Sequence, residues 1–152
     1  MTQQFGKQIS YSVELVITAG AYVADDVVGG LITLGLTTAG GGGIIRRVRI
    51  FDADDEKADL DLYFFDSLPA AIADNAAFAG GLASADKMAH IKKVAVAAAD
   101  YVSIASEAIA IKDGLEIDFS GAVYLYIVTA TGSTPTYTAT DDLTIYVDGW
   151  GF

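Results

Sequence analysis

Apolar and polar residues alternate with a period of two along most of this chain, and a helical period of about 3.6 is hardly sustained anywhere. In Ser10–Thr18, Tyr11, Val13, Leu15 and Ile17 share one face while Ser12, Glu14, Val16 and Thr18 share the other. Val27–Leu36 reads as a second strand, with Gly29 and Gly30 marking a bulge or a tight bend. Gly40–Gly43 reads as a glycine loop. The strand that follows, Ile44–Asp52, sets Ile44, Arg46, Val48 and Ile50 on one side and Arg47, Arg49 and Phe51 on the other. An acidic turn over Asp52–Asp59 leads to Leu60–Phe65, and the two strands are expected to form a hairpin.

The pattern breaks over residues 66–91, where Pro69, Asn75, Gly80 and Gly81 punctuate an alanine-rich stretch. Ser84 is the expected N-cap of a short helix running towards His90. Strand character returns at Val94–Ala98, Tyr101–Ser106, Ile109–Ile111, Leu115–Phe119, Ala122–Ala130 and Leu143–Asp148. Nine or ten short strands in a chain of 152 residues predict one all-β domain over residues 1–152. The expected form is an antiparallel β-sandwich, the jelly roll being one version, with a helical or loop excursion at 66–91. Residues 1–9 are read as an N-terminal arm.

Composition narrows the chemistry. The formal net charge is −11, a balance that repels phosphate backbones and anionic membranes and favours solubility. No nucleic-acid or membrane partner is therefore expected. The start has no apolar signal segment, and the two long uncharged stretches are too rich in Gly and Thr to be spanning helices. Cysteine is absent, which removes disulfides, thiolate catalysis and thiolate metal sites.

Each motif that could carry chemistry is incomplete. The Gly40–Gly43 run ends in Ile44 and Ile45 and opens a strand, whereas a phosphate loop ends in Gly-Lys-Ser/Thr and opens a helix. Asp52–Glu56 resembles the start of a calcium loop, but Lys57 and Tyr63 stand where glycine and glutamate are needed. A looser calcium site on that turn stays open. His90 is the single histidine and lies among Lys87, Lys92 and Lys93, which reads as a solvated basic patch. Twenty acidic residues make any pair of carboxylates uninformative about glycoside hydrolysis. No catalytic residue, cofactor or metal is expected, and the chain is read as a non-enzyme.

Three features point to contact with neighbours. Arg46, Arg47 and Arg49 gather three of nine basic residues, either to pair with the chain's own Asp59 and Asp61 or to meet another subunit. In Ala122–Ala130, Val123, Leu125 and Ile127 form one apolar face, yet Tyr124, Tyr126 and Val128 make the other apolar too. Such a strand is covered twice, by the 66–91 excursion or by a second chain. Trp150 and Phe152 put large aromatics at the end of the sequence, where they dock on the body or reach a neighbour.

Tyr11-Ser12-Val13, the glycine run, Phe51-Asp52, Phe65–Pro69, Ala73–Phe78, Ser84-Ala85-Asp86, Thr134–Tyr137 and Asp142-Leu143 occur in an order that resembles a group of small tailed-bacteriophage proteins, often encoded beside capsid genes. The resemblance runs from Tyr11 to Val147, with Asp74–Phe78 its most specific piece, and Asp148–Phe152 falls outside it. It implies a virion structural protein, foremost a capsid decoration (cement) protein made in the host cytoplasm and carried on the capsid surface. The implied partners are the major capsid protein and further copies of the chain, as a trimer or dimer. A tail or neck component and a carbohydrate-binding module are the alternatives.

Overall fold

The structure, a computed structural model, describes residues 6–36 and 41–152. Ten strands, one short α-helix and one 3-10 turn (Ala98–Asp100) are found there: β1 Lys7–Glu14, β2 Ile32–Leu34, β3 Gly42–Asp52, β4 Leu60–Phe65, α1 Ser84–Met88, β5 His90–Val96, β6 Tyr101–Ile104, β7 Glu107–Lys112, β8 Ile117–Ser120, β9 Val123–Thr129 and β10 Leu143–Gly151. They form two antiparallel sheets packed face to face. The first has the order β1-β10-β3-β7-β6, with β8 also paired to β3; the second has the order β2-β9-β4-β5. The division into six and four strands differs from the equal sheets of an eight-stranded jelly roll. Leu60, Leu62, Phe64, Leu125 and Ile127 from one sheet meet Ile45, Val48, Ile50, Ile145 and Val147 from the other, all buried.

Several local expectations are corrected. β3 and β4 are not a hairpin, because they lie in different sheets and the acidic turn carries the chain across. Asp52 closes that turn: its buried carboxylate accepts the amides of Asp54 at 3.0 Å and Lys57 at 2.9 Å. Glycine at 42 and 43 is strand, paired to Ser120 and Phe119, rather than loop; Gly40 and residues 1–5 lie outside the described residues. Lys7–Ile9, expected in an arm, pair with Gly151–Gly149. Val27–Leu36 keeps only Ile32–Leu34 as strand, since Gly29 and Gly30 turn the chain at φ 82° and 68°. The cap of the helix is Ala83 rather than Ser84, which is its first residue, and the Ala83 amide donates to the Asp86 carboxylate at 2.9 Å.

A β-bulge corrects the facing of β3. The pairing steps from Arg47–Asp148 to Ile45–Gly149, so Arg46 has no partner opposite it in β10. Beyond the bulge the parity reverses, and Ile45 rather than Ile44 is buried with Val48 and Ile50. Glycine makes the crossing possible. A Cβ on Gly149 would collide with the Ile44 carbonyl, and one on Gly43 with the Trp150 carbonyl and the Phe119 ring.

Candidate interaction surface

The two sheets differ in what covers their outer faces. Over the four-stranded sheet lies the 66–91 excursion, whose Ile72, Leu82 and Ala89 pack on Phe65, Tyr126 and Val128 with Val27. Tyr126 and Val128 are therefore internal, and their reading as part of an interface is corrected: the excursion, not a second chain, accounts for the apolar outer face of β9. The Tyr126 hydroxyl donates to the Ala70 carbonyl and accepts the Ile72 amide at 3.0 Å. Burial pushes this hydroxyl above the ordinary tyrosine range. Tyr124 packs half-buried at the margin of the same cluster.

Asp74 fastens the excursion. Its carboxylate accepts the Thr18 hydroxyl at 2.7 Å, the Tyr22 hydroxyl at 2.8 Å and the Gly29 amide at 2.6 Å. Asn75 takes a left-handed conformation at φ 57°, letting its amide reach the Val27 carbonyl at 2.8 Å. Phe78 then lies over Tyr63 and Tyr126, with ring centroids 4.9 Å and 5.5 Å away. The Asp74–Phe78 segment is thus the latch of the cover.

Among the described residues no comparable layer lies on the outer face of the six-stranded sheet. Strand alternation presents Val102 and Ile104 from β6, Ile109 and Ile111 from β7, Phe51 and Ile44 from β3, and Tyr146 and Trp150 from β10. The register places Val102, Ile109 and Phe51 in one row, Ile111, Arg49 and Tyr146 in the next, and Ile44 beside Trp150 at one end. Val102 and Ile104 are 63% and 61% exposed, Trp150 47% and Phe152 48%. An antiparallel sheet with a wet face normally carries polar side chains there, so a run of this kind is a candidate contact surface.

Arg46, Arg47 and Arg49 stand on this face, and the bulge brings the first two out together. They flank a shallow depression of about 420 Å³, with Trp150 and Gln8 on its wall. Their partners are corrected from Asp59 and Asp61: Arg46 pairs with Glu116 at 3.0 Å, Arg47 with Asp113, and Arg49 with Asp148 at 3.2 Å. Asp59 and Asp61 belong to the other sheet's side of the chain, where Asp61 holds Lys93 at 3.0 Å and Asp59 accepts the Ala98 amide. The Arg49 guanidinium also lies over the Tyr146 ring, 4.9 Å from its centroid. Exposed pairs such as those of Arg46 and Arg47 contribute little to folding and exchange readily for a partner's carboxylate.

The acidic residues have a structural use that composition alone does not reveal. Asp54 accepts the Thr138 amide at 3.0 Å and Glu56 the Thr136 amide at 3.0 Å, which ties the acidic turn to the 134–139 loop. Asp142 accepts the amides of Thr138 and Ala139 at 3.0 Å and 2.8 Å. Among the described residues no cluster of three or more His, Asp or Glu side chains is placed to hold a metal ion. Also among them, no helix is long and apolar enough to cross a membrane.

No family model matches the chain, and comparisons with curated proteins and with solved structures found no match either.

Proposed function

We propose that this chain is a bacteriophage structural protein, a capsid decoration (cement) protein that uses the bare outer face of its six-stranded sheet to grip the shell and to associate with further copies of itself. The observation that carries the reading is the asymmetry of the sandwich: one outer face is roofed by its own chain, while the other, which also bears three arginines, leaves Val102, Ile104, Ile111 and Trp150 exposed. Exposed apolar residues together with exchangeable ion pairs are a common make-up of a protein contact. The virion setting rests on the sequence resemblance, and absence of catalysis is part of the same proposal. The partners would be the major capsid protein and the chain itself, as a trimer or dimer on the capsid surface.

The test is co-sedimentation of the purified chain with empty shells of a tailed phage, alongside light scattering of the chain alone. Saturable binding weakened by Val102→Lys and Trp150→Ala supports the proposal; absence of binding at low salt overturns it. A tail or neck position would appear as binding to those assemblies instead. One observation favours a carbohydrate-binding reading in second place: Trp150 and Gln8 border an open depression together with Asp148. A glycan array without signal removes that reading.

A further inference from the structure

A second recess lies on the opposite sheet, in a gap of the excursion that otherwise covers it. Its walls are the rings of Tyr63, Phe65, Phe78 and His90, Leu82 lies within it and Lys87 at its mouth, and its volume is about 400 Å³. A register shift in the β4–β5 pairing builds it. Phe64 faces Lys92 but Phe65 faces His90, so Ile91 is passed over and the imidazole turns to the outer side. The His90 ring then sits 5.6 Å from Phe65 and 5.7 Å from Tyr63. Behind these rings Tyr126 contacts both Phe65 and Phe78, with centroids 6.0 Å and 5.5 Å away, and its hydroxyl is fixed by the backbone at 70 and 72. The slot is therefore held in shape from within.

A cation stands at the mouth of the slot in an otherwise acidic chain. Lys87 lines the slot and is in none of the ion pairs found among the described residues, whereas Lys93, 5.5 Å from the Tyr63 ring centroid, is paired with Asp61, and Lys92, opposite the inward-facing Phe64, is on the other face of the sheet. An ammonium group beside aromatic walls, in a protein of net charge −11, suits a flat ring with negative charge next to it. The mouth is broad, since His90 and Lys87 are exposed and Phe78 is half-buried. A free ring would keep much of its surface wet there, whereas small-molecule sites enclose most of their ligand. A ring delivered on a polypeptide gains more, because among the described residues β5 is an edge strand paired with β4 alone, and an extended segment can add to such an edge.

We propose that the slot between Tyr63, Phe65, Phe78 and His90 receives an aromatic side chain from an acidic segment of a partner protein, with Lys87 meeting the acid. The site is on the far sheet from the arginine-bearing face, so its failure would leave the decoration proposal untouched.

The experiment is a ¹H–¹⁵N titration of the full chain with acetylated, amidated Asp-Glu-Phe-Glu-Asp. Saturable shifts are expected at Gly80, Leu82 and His90. Replacing the peptide's phenylalanine by alanine should weaken binding about tenfold or more, as loss of an anchoring side chain does. The Lys87→Glu variant, whose spectrum should otherwise match the parent, is expected to weaken it to a similar degree. The proposal is overturned if no slot resonance shifts at millimolar peptide, or if the alanine or a lysine-flanked peptide binds equally well. Phenylacetate binding as tightly as the peptide would also overturn it, in favour of a small aromatic acid.

Discussion

Asp74 collects a hydroxyl from Thr18, a hydroxyl from Tyr22 and an amide from Gly29, three groups from separate points of one crossing segment. Removing it leaves those donors without their acceptor, and Asp74→Ala is expected to cost about 2–4 kcal/mol in urea unfolding, from the loss of charge-assisted bonds. Tyr126→Phe is milder, about 1–3 kcal/mol, because one buried hydroxyl serving Ala70 and Ile72 is lost; limited proteolysis should then cut within 66–81 first. Asp52 shows the opposite balance. Burial raises its carboxyl above the ordinary range in spite of two amide donors. The folded state thus holds the proton to higher pH than the unfolded state does. Stability contributed by this group falls as pH rises from the ordinary carboxylate value through the raised one, then levels. Asp52→Asn cannot ionise, so the parent should lose stability relative to the variant over that rise. Denaturation curves for both proteins from about pH 4 to 7 check this, and a pH-independent difference would refute it. None of these roles is legible from residue type, because an Asp on a solvated turn and an Asp under a cover read alike.

At the scale of elements, alternation located nearly every strand but not its partner. β9 was recognisable as covered on both faces from Tyr124, Tyr126 and Val128, while the identity of the cover required the path of residues 66–91. The bulge at Arg46 was hidden, since an inserted residue looks like a lapse in alternation: Ile44 and Ile45 are both apolar and either could point inward. The glycines opposite it carried the signal. Gly149→Ala forces a methyl against the Ile44 carbonyl, so β3 and β10 must part locally. A loss of about 2–4 kcal/mol is expected, in the upper range for single substitutions. Gly132→Ala should cost less, because nothing crowds that Cβ and only the left-handed backbone at φ 84° is strained. Thermal midpoints of the two variants rank the effects.

For the whole molecule, the proposed function rests on the sheet face that the described residues leave bare. Substituting lysine for Val102 and Ile104 together changes exposed positions and should alter folding stability by less than about 1 kcal/mol. If that face joins copies of the chain, the same variant should have a smaller mass by light scattering at equal concentration. Unchanged mass with unchanged shell binding would remove this face from consideration. The arginine cluster and Trp150, distinct features along the chain, come together because β3 and β10 are neighbours and the bulge lies between them.

The sequence by itself determined the class of fold, because period-two alternation and β-branched side chains suit only pleated strands with one face or both buried. It also determined which strand must be doubly covered and that positive charge would concentrate at 46–49. The tertiary structure alone decided that the cover is the chain's own, that the arginines pair with Glu116, Asp113 and Asp148, and that His90 joins an aromatic slot. The reason is physical. Alternation depends on neighbours two residues apart, whereas strand order, bulges and carboxylate latches depend on contacts between residues tens of positions apart, which no local pattern encodes.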